Sequence, residues 1–454
     1  MPVKSNSYLL SSQEICWNEI DAADKIVLNI LKRKLMMKFE DKFSLPLEWI
    51  SDETKRIVES CREIVEKEIM PIRHELDEDW KDHKIYDKLL KIIMLDFGLQ
   101  CAPWPKEYGG LESDLITACL CNEEMSRGDS GLSTAAGCIN WTFMPMLAPT
   151  PNPILIEKFA PLACQTDKLF VGCAAITDAR SGSDVENIDG THGKYIATTA
   201  ELDGDEWVIN GHKLWPTNSG GLADIFAVFC TTNPGVEDDE AFAIIYVPAD
   251  TPGVKQGEPY RKAGMSGDKN SDIWFDNVRV PKENRANPKP GDDAIAARMF
   301  MNAGNIGSSA HSIGIMRNCY ELVKEWCGTR EVGGKLLKEH SMTASILADI
   351  AMMIEVSRSD TYMKARMMTV PDVYGIDPTG VEFLAKTRAN KLFVTDQMTI
   401  LINKAMDLMG SHGYAREGHI EKHWRDSKMI SLWMGGRGLA KLDIARWFYD
   451  CKSF

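Results

Sequence analysis

No Cys-x-x-Cys pair occurs in the 454 residues, and the 12 cysteines are scattered, Cys119 and Cys121 lying closest together. Neither a disulfide framework nor a zinc knuckle is expected from that spacing. Long apolar runs are missing too. No window reaches the about 18 uninterrupted apolar residues of a membrane span, and the first residues, MPVKSNSYLLSSQEICW, lack the core of a signal peptide. The sequence therefore predicts a cytoplasmic protein in a reducing compartment. Positive charge is in deficit: Lys plus Arg is 52 against 66 for Asp plus Glu, a net charge of −14. That balance repels nucleic-acid backbones and anionic lipid, so recognition of either through bulk charge is excluded. Internal repeats, low-complexity tracts, a Walker loop and a Ser/His/Asp order are absent as well. What remains is ordinary for a globular chain, with 44% hydrophobic and 26% charged residues. At this length about three compact units are expected.

The texture changes twice along the chain. From Ser51 to Met70, Ile57, Cys61, Ile64, Val65 and Ile69 recur at helical spacing before Pro71, and Tyr86 to Phe97 forms a second helical stretch. Ile26, Val27, Ile30 and Leu31 suggest a helix in an N-terminal extension, residues 1–50, that carries no evident chemistry. From about residue 166 the runs become short and β-branched: Leu169 to Ile176, Trp207 to Ile209, Asp224 to Thr231, Ala241 to Val247 and Ile273 to Val280. Asp203-Gly204 and Asn210-Gly211 supply the dipeptides of tight hairpin turns, which favours antiparallel neighbours over a Rossmann sheet. Beyond NPKPGDD, helical spacing returns in Ile346, Leu347, Ile350, Met353 and Ile354, and again from Val381 to Met409. The expected division is a helical unit at 51–165, a β unit at 166–290 and a second helical unit at 291–454.

Four ordered motifs fall within this α, β, α order: ITDARSGSDV (Ile176 to Val185), INGHKLWPTNSG (Ile209 to Gly220), FDNVRVP (Phe275 to Pro281) and MGSHGYAREGHIEKHWRDSK (Met409 to Lys428). With them the sequence, from about residue 51 to its end, resembles the acyl-CoA dehydrogenase family. The resemblance implies an α+β fold: an N-terminal helical domain, a middle β-barrel-like domain and a C-terminal four-helix bundle. It also implies FAD as cofactor. A flavin ring needs donors at its polar edge and an apolar wall that excludes water. By the resemblance, Thr177 lies beside the polar edge, Trp215 against the ring, Thr217 by N5, and Ser183 near the flavin phosphates or the thioester ligand.

In this family a second subunit completes the FAD site, with an Arg for the pyrophosphate and a Gly-rich helix start for the adenine side, where fixed NH groups suit phosphate. The matching positions are Arg330, Asp407 and Gly410, with Gly436 of the loop LWMGGRG as a further cofactor contact. The match is partial. Gly333 stands where an aromatic is usual and Ser341 where Gln is usual, while Asp407 replaces a Gln and Ser411 a Gly. The alternative for Arg330 is a pair with an acidic neighbour on the surface. Arg298 aligns with a family Arg that helps hold the CoA ester, a task suited to a guanidinium fork, and its alternative is a plain structural salt bridge. Gly435, beside Gly436, is a further substrate contact by the same resemblance.

The family's proton acceptor is missing. In these enzymes a carboxylate removes the α-proton of the thioester while the β-hydrogen leaves as hydride, the α-carbon being acidified by hydrogen bonds to the thioester. Its two usual positions hold Met434 and Ala297, and neither takes a proton. A third position, on the N-terminal domain in members that oxidise cyclic esters, aligns with Asn140. Three explanations stand side by side: a base moved to another wall, a reaction without this transfer, or lost dehydrogenation. Arg437 in the same loop is either a binder of a second carboxylate on a dicarboxylic acyl-CoA or a solvated residue at the start of the last helix. His419 and His423 have the spacing of paired metal ligands, but no third ligand is evident, so packing is the preferred reading and no metal is expected.

The resemblance implies an FAD-dependent dehydrogenase of an acyl-CoA thioester, with a branched, cyclic or dicarboxylic acyl part inferred from the altered loop. Electrons would pass to an electron-transfer flavoprotein, and a homo-oligomer, tetramer or dimer, is implied. The alternatives are a flavin monooxygenase of the same fold and a non-catalytic binder of CoA esters.

Overall fold

The computed structural model describes residue 43 and residues 45–451. The stripe Ile26, Val27, Ile30 and Leu31 lies outside the described residues. Helix α1 (Asp52–Ile64) begins where the Ser51 hydroxyl accepts from Thr54 N at 3.0 Å, and it runs on into a π-helical stretch, Val65–Ile69. Helices α2 (Leu115–Gly128) and α3 (Ser130–Trp141) start the same way, the carboxylates of Asp114 and Asp129 each accepting from a backbone NH at 2.7 Å. Short polar side chains at these positions satisfy NH groups that have no partner within the helix. Helix α4 (Pro153–Ala163) leads into the sheet.

Seven strands form one sheet: β1 (Gly172–Ala175), β2 (Thr199–Asp203), β3 (Glu206–Lys213), β4 (Ile225–Thr231), β5 (Phe242–Pro248), β6 (Val254–Gln256) and β7 (Ile273–Pro281). Their order is β1-β4-β2-β3-β7-β6, with β5 on β4. Antiparallel pairing dominates, and β4 pairs in parallel with β1 and, through Thr199 and Thr231 alone, with β2. Strand β4 is buried along its whole length. Its Ile225, Ala227 and Phe229 pack with α3, α4 and the long helix after the sheet, whereas Phe226, Val228 and Cys230 pack against β3 and β7. That alternation is the two-residue period of a strand, here with both faces covered.

One turn expectation holds and the other is corrected. Asp203 pairs with Glu206, so Gly204 and Asp205 form a two-residue hairpin loop with Gly204 at φ +65°. Asn210-Gly211 is not a turn: it lies inside β3, where the register against β7 slips between Ile209 and Gly211. The glycine serves close approach, because a Cβ there would sit 2.4 Å from the Thr198 hydroxyl. Glycine within a strand often marks such a bulge.

The C-terminal unit contains α5 (Asp292–Thr329), α6 (Ser341–Thr369), α7 (Val381–Met409), α8 (Ile420–Leu432) and α9 (Gly436–Phe448). Helix α5, 38 residues long, is buried through its middle turns and touches the N-terminal helices, the sheet and the bundle. Charges are buried with it. Arg317 of α5 lies 2.5 Å from Glu123 and 2.7 Å from Glu124 of α2, and Arg358 and Tyr362 of α6 reach Glu123 at 3.1 and 2.7 Å. Burial would raise the Glu124 carboxyl, but Arg317, Arg62 and Arg127 outweigh it and hold it well below the usual range.

Candidate active site

The loop after β1 is built around a buried ion pair. Lys213 Nζ lies 2.8 Å from Asp178 and donates to the Ile176 carbonyl at 2.6 Å, while Leu214 N donates to the Thr177 carbonyl at 2.9 Å. Burial would raise Asp178, but Lys213 and the Thr198 hydroxyl hold it below the ordinary carboxylate value. Both neighbours of Thr177 are thereby fixed. Asp178 and Gly182 exchange backbone hydrogen bonds at 3.1 and 2.9 Å, and Gly182 at φ +62° turns the chain into a short 3-10 turn, Ser183–Glu186.

Trp215 follows β3 in the left-handed region at φ +64°, a conformation held by its NH on the Ser271 carbonyl at 3.1 Å and by Asn270 Nδ2 on its own carbonyl at 3.0 Å. Tyr260 packs against the Trp215 ring, with centroids 4.3 Å apart. The Trp215 side of this pair remains 44% exposed, and it looks into a cavity of about 580 Å³. That volume lies within the about 300–1,000 Å³ of small-molecule sites. The structure brings Thr177, Ser183, Trp215, Thr217 and Asn270 together on the sheet side of the cavity. Facing them are Thr134, Cys138 and Trp141 of α3, Phe300 and His311 of α5, and Met434 and Gly435 between α8 and α9. A half-exposed indole beside threonine and asparagine donors, opposed by apolar side chains, fits a flavin ring.

The ionisable groups of this cavity are unlike one another. His311 Nδ1 sits 2.8 Å from Ser126 Oγ and 3.0 Å from Ser133 Oγ, and burial pushes its pKa down to about 3, leaving a neutral imidazole at neutral pH. Burial pushes the Cys138 thiol up to about 12. Glu186 also lines the cavity, is only 5% exposed, and its Oε2 accepts no hydrogen bond. Burial raises its pKa against the pull of Arg388 and Lys391 of α7. Those two cations bind the neighbouring loop, Arg388 Nη1 donating to the Met434 carbonyl and Lys391 Nζ to the Trp433 carbonyl. Glu186, His311, Trp141 and Asn270 escaped the sequence reading; for Glu186 the one signal was its place three residues after Ser183.

The other sequence-predicted residues lie elsewhere. Arg298 is not among the cavity residues: its guanidinium lies 2.7 Å from both Asp189 and Asp239, the structural salt bridge that was its alternative. Arg437 faces outward and pairs with Asp396, so it offers the cavity no free cation. Arg330, Asp407 and Gly410 are exposed at the far end of the bundle, where Arg330 covers Trp326 and Trp326 stacks on His412 at 4.5 Å. Gly436 opens α9 at φ +61° without lining the cavity. Ala297 is fully buried, and Met434 lies flat on α5, where a Cβ at Gly304 would come 2.5 Å from its Cε. Asn140 lines a second cavity, of about 370 Å³, which Trp141 separates from the first by lining both. His419 stacks on His74 at 4.4 Å and His423 bonds Asn318 at 2.8 Å. Among the described residues no cluster of three metal-ligating side chains occurs, and no helix is long and apolar enough to cross a membrane.

Comparison with known proteins agrees with the order of helical, sheet and helical parts. Residues 51–166 match the acyl-CoA dehydrogenase N-terminal domain, 173–278 the middle domain and 294–449 the C-terminal domain. The chain is 26% identical over 408 residues to cyclohexane-1-carbonyl-CoA dehydrogenase of Syntrophus aciditrophicus, covering 89% of this chain and 98% of that one. Glutaryl-CoA dehydrogenase of Desulfococcus multivorans is 26% identical over 404 residues, 87% of this chain and 96% of that one. The solved butyryl-CoA dehydrogenase of Megasphaera elsdenii superposes with a TM-score of 0.75 at 24% identity, covering 87% of this chain and 98% of that one. Three domain matches in order, over a helical, sheet and helical fold, establish that the chain belongs to the acyl-CoA dehydrogenase family, oxidoreductases acting on the CH–CH group of their donors.

Proposed function

We propose that the chain binds FAD in the larger cavity and dehydrogenates an acyl-CoA whose acyl part is branched or alicyclic, electrons passing on to an electron-transfer flavoprotein. The observation that carries this reading is the half-exposed Trp215 beside Thr177 and Thr217, opposite Met434 and Gly435 across one cavity. Bound FAD supplies the two-electron acceptor for the β-hydrogen. Trp215, backed by Tyr260, would shield the ring from water, and the Thr177 and Thr217 hydroxyls would be its donors. Lys213 and Asp178 hold Thr177 in place. Two features support a bulky acyl part: the mostly apolar second cavity behind Trp141, and a relative whose name specifies a cyclohexane ring. The diacid alternative loses its cation to Asp396. The exposure of Arg330, Asp407 and Gly410 at one end of the bundle supports a second copy of the chain completing the FAD site there, in which case assembly and FAD binding support each other.

Anaerobic stopped-flow with cyclohexane-1-carbonyl-CoA, butyryl-CoA and glutaryl-CoA tests the reading. Bleaching of the flavin by the first, faster than by the other two, is the expected result. Failure of all three to bleach it would count against this substrate class, and failure of every thioester tried would refute dehydrogenation.

A further inference from the structure

We propose that Glu186 is the relocated proton acceptor of this enzyme, removing the α-proton of the bound thioester from the wall of the flavin cavity beside the Met434 loop. The inference rests on the function proposed above and adds the residue that its chemistry lacks. Met434 and Ala297, at the family's two usual positions, carry no titratable group, and Asn140 lines the other cavity. Of the groups that do line the flavin cavity, His311 is too weak a base and Cys138 too weak an acid to exchange protons at neutral pH. Glu186 is the carboxylate there.

Three observations equip it for this task. It ends the 3-10 turn that begins with Ser183, so turn geometry rather than a flexible loop fixes its position. Its Oε2 is buried without a hydrogen-bond partner, an arrangement that costs stability. Its charged surroundings are Arg388 and Lys391 from α7 and Asp443 from α9, and both cations are engaged with the carbonyls of Met434 and Trp433. Burial raises its pKa above that of a surface glutamate, which strengthens it as a base once ionised. In the step itself the α-C–H bond breaks and its proton goes to a Glu186 oxygen. The electron pair moves first toward the thioester oxygen and then into the α,β-double bond, as the β-hydrogen leaves with its own pair to the two-electron oxidant that this enzyme class employs.

The two halves separate experimentally. Phenylacetyl-CoA has α-hydrogens but no transferable β-hydrogen, so its α-deuteration in heavy water by the FAD-loaded protein reports proton abstraction alone. Flavin bleaching by cyclohexane-1-carbonyl-CoA reports the whole reaction. In Glu186→Gln both rates are expected to fall by at least about 100-fold, the usual worth of a positioned base. Glu186→Asp keeps part of the exchange, and the wild-type rate rises with pH as Glu186 loses its proton, a dependence that the Gln variant lacks. The Gln variant melts no lower than wild type at neutral pH. A carboxyl whose folded pKa is raised contributes stability below its unfolded value and loses it as pH rises, so removing its charge at neutral pH relieves a cost. Exchange and bleaching within threefold of wild type in a folded Glu186→Gln would overturn the assignment. A wild-type protein that no thioester reduces would overturn the proposed function and this inference with it.

Discussion

Lys213 is fully buried, and its ammonium is shared between Asp178 and the Ile176 carbonyl. Replacing it by Met keeps much of the volume but leaves Asp178 charged in a dry interior. Such one-sided removal costs about 3–5 kcal/mol. Because Thr177 sits between the two partners, the loss should extend to the cofactor: Lys213→Met is expected to lower the urea midpoint and to weaken FAD binding, read by flavin fluorescence on titration. A variant with the lower midpoint but unchanged FAD affinity would show that Thr177 needs no such anchor. At this scale the sequence was legible where a motif carries its chemistry locally. Thr177, Ser183, Trp215 and Thr217 meet in one cavity because each lies within four residues of a strand end or, for Ser183, beside the Gly182 turn. The surroundings of Arg298 and Arg437 were not legible, because a guanidinium reads the same whether it faces a ligand or an acid, and their acids, Asp189, Asp239 and Asp396, are 41 or more positions away. Glu186 was unreadable for the same reason: its setting is made by Arg388, Lys391 and Asp443, which only folding brings near.

Helix α5 shows what glycine does at the scale of an element. A Cβ at Gly314 would lie 2.2 Å from the carbonyl oxygen of Glu123, a backbone atom of α2 that cannot swing aside. At Gly328, near the end of the same helix, nothing lies within 4 Å. Gly314→Ala should therefore cost on the order of 1–3 kcal/mol by overpacking, while Gly328→Ala should gain about 0.5–1 kcal/mol of helix propensity. Opposite shifts in melting temperature for the same chemical change are the expected outcome, and equal shifts would deny the close helix contact. Gly307 has a related role, since a Cβ there would come 2.2 Å from the Trp141 ring. Gly307→Ala is expected to move Trp141 and so alter the wall between the two cavities, read as a changed preference between butyryl-CoA and cyclohexane-1-carbonyl-CoA. Element boundaries were partly legible. Val381–Met409 is a helix over the span its periodicity predicts, because both faces keep a 3.6-residue rhythm between Gly380 and Gly410. The π-helical stretches Val65–Ile69 and Ile92–Asp96 leave that rhythm almost unchanged, and Asn210-Gly211 has the composition of a turn while serving as a bulge.

Over the whole molecule, helix α8 joins all three units. Arg425 reaches Asp77 of the N-terminal part at 2.8 Å and the Ala263 carbonyl between β6 and β7 at 2.9 Å, while Lys422 lies 2.6 Å from both Asp129 and Asp426. Asp426 in turn accepts from Met265 N at 2.6 Å and from Ser130 Oγ at 3.1 Å. This is the physical content of the segment EKHWRDSK, whose family resemblance was legible but whose partners, up to 348 positions away, were not. Burial would raise Asp426, but Lys422 and the Met265 NH hold it below its ordinary value, as Arg317 and its neighbours do for Glu124. With the folded value depressed, the unfolded chain takes up the proton first. The stability these groups contribute is therefore fully present above the unfolded carboxylate range, about 3.9–4.3, and is lost as pH falls through the lower folded values. Melting temperature should hold near neutral pH and drop steeply below about pH 4. Asp426→Asn should cost about 1.5–3 kcal/mol at neutral pH by removing one charged acceptor, and it should flatten the acid limb of the curve, because the remaining Asn binds no proton. The three units are tied through one residue cluster, so the loss should appear as a single cooperative transition. An Asp426→Asn protein with the wild-type acid limb would place the source of acid lability in other carboxylates, Glu124 first among them.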